Sequence, residues 1–591
     1  MRIGSRPLSF ALVSTLALGA TVLGCIEPAV QGEGAGKHHV PDPNNPAHHE
    51  VPTVGTTKAG LEVVDDAIAA WMRATCAGGV AVSLGFGEEP LLARGYGKLE
   101  GPPNIICQDK NGDDTYQELN KVRANTPFRI GSNSKAITAA IVRDVLKKRL
   151  AEKGRPATDD ELESLKIFDL DMDLVSPRLR RFVNGNLATS AVACESPAEQ
   201  PNGQPVVSGG RVDPRWLDIT VGQLLSHRSG LPSDGNSTYR KLGQLRGLTT
   251  AEALDAAEAQ SGAPEAAKAA LRDKLLGARF VAPQTIEEYL IANTDLCFEF
   301  EPGTAPPPDE NDYSNLGFGI LQHIAEHVSG MAFAPALGWH DLHSATLLAK
   351  FAKEKLGFEK GVESSYGIYF SQPVEGQRDP AEPVYRAWDG TSMLGRSKDI
   401  KRPHCYFGLE SKSVKCDVFL QGFSRFDWGW EEKLVNVSYE KQGVTPGAGL
   451  LAAEMPLYQK FMARYWVSGD EKYNYYGRER ATNPSPKTRV HHGALAGTKS
   501  TVVQFMGDDI PYYVVPRKDG ELDLANLTES TTEKSCKIPS GLNLAMATNQ
   551  SSDSACGADG CGMRYRALRE VVKEALCQVD WLKVSPQITN K

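Results

Sequence analysis

The sequence of 591 residues contains no Cys-x-x-Cys pair among its 11 cysteines, so neither a zinc site nor a dithiol redox motif is indicated. It also lacks a basic stripe with interleaved aromatic residues, and its formal net charge of -8 gives no sign of a nucleic-acid partner. There is no internal repeat. The remaining composition is ordinary for a globular protein, and the chain is long enough to bury a large core.

Long apolar runs are also scarce, and the one at the N-terminus is short for a membrane span. Residues 10–23 are apolar and follow the positively charged Arg2 and Arg6. The run ends in Val-Leu-Gly-Cys at Cys25, which resembles a bacterial lipoprotein signal. We therefore predict a lipoprotein-type signal peptide over residues 1–25 that ends at Cys25, with cleavage that leaves the lipidated Cys25 as the first residue of the exported chain. An ordinary secretory signal is the alternative.

The predicted lipid anchor places the protein on a bacterial membrane, facing the periplasm or the exterior. Ile26 follows Cys25, where an aspartate often retains lipoproteins at the inner membrane, so the outer membrane is favoured. Residues 26–57 are rich in Gly, Pro, Asn and His and are predicted as a flexible tether. The oligomeric state is left open.

The cysteine count agrees with export. Without Cys25, ten of the 11 cysteines remain, an even number that allows up to five disulfides in an oxidising compartment. Connectivity does not follow from sequence. The short spacings Cys405/Cys416 and Cys556/Cys561 are the local pairings that we expect.

The pattern of apolar residues predicts strands near both ends of the folded part and helices between them, which is an α+β organisation. An antiparallel hairpin is predicted over 79–97 and a core strand over 541–550. The predicted helices are 61–73, 254–277, 320–328, 345–356 and a final amphipathic helix over 563–581. We predict one domain over 58–585, with a helical subdomain over about 136–400 and insertions over about 232–300 and 400–440.

A serine and a lysine stand three residues apart where an apolar helix begins. This spacing places Ser132 and Lys135 on one helix face, about one turn apart, so that the lysine amine can reach the serine hydroxyl. A nearby base turns the hydroxyl into a nucleophile, and the helix N-terminus adds partial positive charge beside it. Ser-x-x-Lys also occurs by chance, with the serine as a helix cap.

Two further short motifs accompany Ser-x-x-Lys. Tyr-Ser-Asn stands at residues 313–315, before an apolar helix, and His-His-Gly stands at residues 491–493, in a segment typical of a strand. In this order the three motifs resemble the serine β-lactamase and penicillin-binding-protein superfamily. The similarity is greatest to its class C β-lactamase-like branch of esterases and D-amino-acid peptidases, and it extends over about residues 60–580.

The resemblance implies a β-lactamase-like fold, in which an antiparallel sheet flanked by helices meets a mostly helical subdomain at the active site. It implies that Ser132 is acylated, that Lys135 and Tyr313 form a coupled pair that handles its proton, and that Asn315 orients Lys135 or the substrate amide. The backbone N–H groups of Ser132 and Ala494 would form an oxyanion hole. It implies no cofactor.

The His-His-Gly motif departs from the penicillin-recognising members. His491 stands where they carry a lysine, so a permanently charged anchor for a substrate carboxylate is missing. Gly493 is expected to let the substrate approach the strand backbone. His227, in a Leu-Leu-x-His-x-Ser-Gly-Leu stretch that also resembles the family, is expected to be structural and to lie at a turn behind the site.

No metal site is predicted. His323 and His327 are four residues apart, but Glu326 lies next to the second histidine, unlike His-Glu-x-x-His. Residues 109–113 resemble a calcium loop only faintly, because the glycine comes too early and Asn120 stands where the last carboxylate belongs.

The function predicted from the sequence is an exported serine hydrolase that acts through an acyl-enzyme on an ester, an amide or a small peptide. One alternative is a catalytically inactive, lipid-anchored binding or scaffold protein on the same fold. The other is a true β-lactamase or DD-peptidase, whose substrate would be a β-lactam or a cell-wall peptide.

Overall fold

The computed structural model describes only part of the chain, and all of that part lies within one compact unit, residues 39–591. The described residues are 51–75, 77–99, 121–189, 192–195, 205–232, 285–306, 313–334, 345–358, 367–370, 382–383, 415–416, 426–427, 446–468, 477–480, 487–495, 498–507, 509–523, 533–549 and 560–585. The predicted signal peptide with Cys25, the predicted helix over 254–277 and the calcium-like loop lie outside them, as does most of both predicted insertions.

The central element is a six-stranded antiparallel sheet with the strand order β1-β3-β2-β17-β12-β11. A second, three-stranded sheet has the order β4-β10-β7, and the other strands form two-stranded ribbons. The strands are β1 Thr53–Thr57, β2 Gly79–Phe86, β3 Glu89–Gly97, β4 Pro127–Arg129, β5 Cys194–Glu195, β6 Val206–Val207, β7 Ile368–Phe370, β8 Lys415–Cys416, β9 Phe426–Asp427, β10 Leu451–Glu454, β11 Thr488–Leu495, β12 Thr498–Phe505, β13 Asp509–Tyr513, β14 Arg517–Lys518, β15 Glu521–Leu522, β16 Glu533–Lys537 and β17 Leu542–Thr548.

Helices occupy the middle of the chain and both ends of the unit. They are α1 Glu62–Thr75, α2 Ser134–Glu152, α3 Asp159–Ser164, α4 Pro177–Asn186, α5 Val221–Leu225, α6 Ile286–Ala292, α7 Asn315–Ser329, α8 Leu347–Leu356, α9 Pro446–Gly449, α10 Met455–Arg464, α11 Gly560–Leu576 and α12 Trp581–Val584. Among the described residues no helix is both long and apolar enough to cross a membrane. The predicted α+β class is confirmed.

The predicted hairpin and the late core strand are both present in the central sheet. β2 pairs with β3 along the hairpin, with Gly79 opposite Gly97. β17 lies between β2 and β12, and it pairs Met546 with Val82 on one side and Ala545 with Val502 on the other. Strands from near the two ends of the folded part of the chain are therefore neighbours in the central sheet.

Two corrections concern element ends. Residues 53–57, predicted as the end of a flexible tether, form β1, which pairs with β3 at the edge of the sheet. Backbone pairing with β3 orders this polar segment, which has little to bury by itself. The final helix, for which the sequence predicts residues 563–581, ends at Leu576 as α11, and a separate short helix, α12, starts at Trp581.

Side chains alternate across the central sheet and divide the apolar interior into two cores. On one face Val82 and Met546 pack with Trp71 of α1 and Leu568 of α11. On the other face Ala81, Ala545 and Val502 belong to the core that contains α2, α7 and α10, and two of these three residues are alanine. The small side chains on this second face leave room for the helices that carry the candidate site.

Two disulfides are present in the described part of the chain. Cys194 is bonded to Cys297 across 103 residues of sequence, and Cys536 of β16 is bonded to Cys577 at the end of α11. Both are long-range pairs, unlike the local pairs Cys405/Cys416 and Cys556/Cys561 that the sequence predicts. The side chains of those four cysteines lie outside the described residues.

Candidate active site

Ser132 lies in a tight turn between the end of β4 and the start of α2. Residues 131–133 form one 3-10 turn, and Gly131 has a φ of 53°. A Cβ at Gly131 would lie 2.5 Å from the backbone nitrogen of Ala494, so only glycine allows this turn to pack against β11. Ser132 is partly exposed at the N-terminal end of α2, whose dipole favours negative charge there.

Lys135 is fully buried, and its amine reaches oxygens from three parts of the chain. Its Nζ lies 3.1 Å from Ser132 Oγ and 2.6 Å from Asn315 Oδ1, and it contacts the carbonyl oxygen of Ala448 in α9. Asn315 therefore orients Lys135, one of the two roles predicted for it. The burial of a cationic side chain is costly unless such acceptors surround it.

Tyr313 brings a phenolic oxygen to the same place. Its Oη contacts Ser132 Oγ directly, and Lys135 Nζ lies 4.7 Å from the centre of its ring. Tyr313 is located by the start of α7, where Ser314 caps the helix by accepting a hydrogen bond from the Gly317 N–H. The structure thus brings the three predicted reacting side chains together.

His227 supports Tyr313 from behind. Its ring stacks on the Tyr313 ring with centroids 4.6 Å apart, and its Nδ1 accepts a hydrogen bond of 2.9 Å from the Ser314 N–H. Burial, followed by the charge of Lys135, holds the pKa of His227 well below its ordinary value of 6.5. The imidazole is therefore neutral near neutral pH, in keeping with the structural role that we predict for it.

β11 is one of the two edge strands of the central sheet and runs past the nucleophile turn. His491 is buried on the face toward that turn, and its Nδ1 lies 2.9 Å from Asn133 Oδ1. Burial is the main reason that its pKa lies well below 6.5, and neighbouring histidines and Lys135 lower it further. The side chain is thus a neutral imidazole turned toward Asn133.

Gly493 packs closely against the nucleophile turn, which is a reason for glycine in addition to the predicted one. A Cβ at this position would collide with the carbonyl oxygen of Ile130 and would lie 2.6 Å from Ser500 Oγ. The missing side chain thus makes room for the nucleophile turn, and the approach of a substrate at Gly493 stays a prediction. Ala494, the next residue, lies against Gly131, so both predicted oxyanion-hole amides are found where β11 meets the turn.

The structure adds residues that the motifs do not single out. Asn133 and Ser500 are hydrogen-bonded to each other at 2.7 Å and join the nucleophile turn to β12, while the Ala448 carbonyl contacts Lys135. The sequence gives Ser500 no signal of its own, because Thr498 and Gln504, on the same face of β12, are polar as well. No sequence signal identifies Ala448, because it acts through its backbone.

His323 and His327 lie next to each other on α7. The His323 Nε2 accepts a hydrogen bond of 3.3 Å from the Ser176 N–H, and the two histidine rings are stacked with centroids 6.1 Å apart. Across the described ranges, no three His, Cys, Asp or Glu residues are grouped so that they could hold a metal ion.

The comparison with protein families agrees with this geometry. Residues 64–340 match the family model described as Beta-lactamase, a segment that contains Ser132, Lys135 and Tyr313 and ends before β11. Together with the antiparallel sheet and its flanking helices, this match shows that the segment is similar to the serine β-lactamase and penicillin-binding-protein-like superfamily. The fold is β-lactamase-like, and the family is one of serine hydrolases.

Solved structures are similar at low identity, and no curated protein sequence matches the chain. The octameric penicillin-binding protein homologue from Pyrococcus abyssi has 15% identity and a TM-score of 0.35, covering 87% of this chain and 77% of its own. FmtA from Staphylococcus aureus has 11% identity and a TM-score of 0.39, covering 90% and 94%. A D-stereospecific amidohydrolase from Streptomyces sp. has 14% identity and a TM-score of 0.36, covering 87% and 98%.

The contact between β11 and the nucleophile turn yields a stability prediction. Gly493→Ala places a methyl group against the Ile130 carbonyl, and overpacking of this kind typically costs about 1–3 kcal/mol. We expect a lower urea midpoint and a loss of hydrolase activity. Gly185→Ala is the matched control, because a Cβ at Gly185, in α4, meets no atom within 4 Å. Equal midpoints for the two variants would contradict the packing described here.

Because three histidines are buried in the neutral form, we predict that the free energy of unfolding decreases in acid. Burial lowers the pKa of His227 and His491 well below 6.5 and that of His323 to about 4, whereas in the unfolded chain all three take up protons near pH 6.5. The unfolded state therefore binds more protons as the pH falls. Stability is complete above about pH 6.5 and decreases below it, by up to about 1.4 kcal/mol per pH unit for each histidine.

Urea unfolding at pH 7, 6 and 5 measures this slope. We expect His323→Gln to unfold with a shallower dependence on pH, since the variant has lost one of the three groups. An unchanged slope would show that His323 takes up its proton equally well in the folded protein.

Proposed function

We propose that this protein is an exported serine hydrolase that forms a covalent acyl-enzyme on Ser132. The observation that carries the proposal is the contact of Ser132 Oγ with both Lys135 Nζ, at 3.1 Å, and Tyr313 Oη. A serine hydroxyl in contact with a lysine amine and a phenolic oxygen, which as a coupled pair can take its proton, is an arrangement that nucleophilic catalysis can use.

In the proposed reaction Ser132 Oγ attacks the substrate carbonyl carbon and gives its proton to the pair of Tyr313 and Lys135. The resulting oxyanion is stabilised by the backbone N–H groups of Ser132 and Ala494, where one such donor can contribute about 10²–10³ in rate. The leaving alcohol or amine departs with the proton. Water then attacks the acyl ester, loses a proton to the same pair and releases the acid, which restores Ser132.

The role of Asn315 follows from its contact with Lys135. Its Oδ1 and the Ala448 carbonyl take two of the lysine's hydrogen-bonding directions, so the third points at Ser132 Oγ. Proton transfer depends on this alignment, because the donor and acceptor must stay within hydrogen-bond reach. Lys135 and Tyr313 are therefore treated as one coupled unit.

The substrate is proposed to be an ester, an amide or a small peptide without a carboxylate next to the scissile bond. The observation behind this is the neutral His491, which is turned toward Asn133. The position supplies no permanent positive charge, so β-lactams, which carry such a carboxylate, are disfavoured. We expect nitrocefin to be hydrolysed weakly or not at all.

Export and a lipid anchor at Cys25 form part of the same proposal. The disulfides Cys194–Cys297 and Cys536–Cys577 support it, because disulfides persist in oxidising compartments such as the bacterial periplasm and the cell exterior. The proposed partners are a small-molecule substrate and, through the anchor, a membrane. Neither a nucleic acid nor a cofactor takes part in the proposed reaction.

The nucleophile is tested by turnover of a p-nitrophenyl ester. Ser132→Ala is expected to abolish hydrolysis, since the variant has no oxygen to acylate, while circular dichroism and the urea midpoint stay close to wild type. Unchanged turnover would remove Ser132 from the mechanism. A wild-type protein with no turnover of esters, β-lactams or D-peptides would favour the inactive scaffold.

A further inference from the structure

The side-chain amide of Asn133 is buried between the nucleophile turn and the edge of the central sheet. Its Nδ2 donates a hydrogen bond of 2.7 Å to Ser500 Oγ, and its Oδ1 lies 2.9 Å from His491 Nδ1. On its other side, Tyr458 Oη donates to the Asn133 backbone carbonyl at 2.8 Å. The residue that follows Ser132 is thus fixed through both its side chain and its backbone.

The directions of these hydrogen bonds can be deduced. Ser500 has one hydroxyl proton, and it donates that proton to the Ile130 carbonyl at 2.7 Å. Ser500 Oγ must then accept from the Asn133 amide nitrogen, which leaves the Asn133 amide oxygen facing His491. That oxygen can only accept, so Nδ1 of His491 carries a proton. A neutral imidazole has a single N–H, and here it is the Nδ1–H.

The resulting chain of hydrogen bonds closes around the nucleophile. It runs from His491 through Asn133 and Ser500 to the Ile130 carbonyl, and residues 130 and 133 enclose Gly131 and Ser132. Two of its members belong to the turn, and the other two belong to the paired strands β11 and β12. Ala494, the proposed oxyanion donor, lies three residues beyond His491 on the same strand.

We propose that His491 is a positioning residue whose Nδ1–H bond to Asn133 keeps Ser132 in register with the oxyanion-hole strand. The inference rests on the proposed function and deepens it by giving His491 a role toward the nucleophile and none toward a substrate carboxylate. A misplacement of about 1 Å at such a site can reduce the rate about 10²-fold, so a hydrogen bond that sets the register affects the chemical step.

Two uncharged substitutions of His491 test whether the position of the hydrogen-bond donor to Asn133 matters, and not only its presence. His491→Asn keeps an amide N–H close to the place of Nδ1, whereas His491→Gln moves the amide one bond further out. We expect His491→Gln to react about 10- to 100-fold more slowly with a fluorophosphonate probe at Ser132 and to lose kcat equally, with little change in KM. His491→Asn should restore most of the rate.

The same hydrogen-bond chain can be broken at its other members. Ser500→Ala and Asn133→Ala are expected to slow the labelling of Ser132 to a similar extent. Asn133→Ala combined with His491→Gln should be no slower than Asn133→Ala alone, because both substitutions remove the same hydrogen bond. Losses that multiply in the double variant would contradict the proposal.

His323→Gln is the matched control, since His323 is another buried neutral histidine and lies two turns beyond Asn315 in α7. It is expected to lose stability and to keep the labelling rate of the folded protein. All rates are therefore compared per folded molecule, as measured by circular dichroism.

The outcomes distinguish this inference from the proposed function. If wild-type Ser132 is not labelled, both fail. If the wild type is labelled and His491→Gln reacts at the same rate, only the positioning role is overturned. A higher KM with unchanged labelling would make His491 a substrate contact, and a loss of stability alone would make its role purely structural; either result also overturns the proposal.

Discussion

The amine of Lys135 is buried at a point where segments that are far apart in sequence must meet. Its oxygen partners come from Ser132 in the nucleophile turn, from Asn315 at the start of α7 and from Ala448 in α9. A buried lysine amine is tolerated only where acceptors replace its water, so folding has to bring these segments together before the residue can be buried. The site is therefore built around this one side chain.

Both sheets help to bring together the segments that meet at Lys135 and Ser132. The three-stranded sheet joins β4, which leads into Ser132, to β10, which follows Ala448. The central sheet brings β11 and β12 against the other side of the nucleophile turn, where glycines at 131 and 493 permit the close approach. The three-stranded sheet positions Ser132 and the Ala448 carbonyl, and the central sheet positions the edge at which the oxyanion is proposed to form.

Much of this arrangement could be predicted from the sequence, because strong local patterns mark it. Alternating or continuous apolar residues predict the hairpin of β2 and β3 and the strand β17, and three short motifs predict the side chains that meet at Ser132. What could not be predicted depends on distant partners. β1 contains little that is apolar and is ordered by pairing with β3, and the bond from Cys194 to Cys297 joins residues that only the fold brings together. The role of Gly493 likewise depends on the Ile130 carbonyl, far away in sequence.

The central claim is that Ser132 carries the acyl group during turnover. It is tested most directly by mixing the protein with a p-nitrophenyl ester, quenching in acid and measuring the intact mass, followed by peptide mapping. The account predicts a single addition equal to the acyl group, located on Ser132 and absent from Ser132→Ala. An acyl group on another residue would contradict the claim. So would a burst of nitrophenol release, which indicates that an intermediate accumulates, if no covalent adduct is found in the quenched protein.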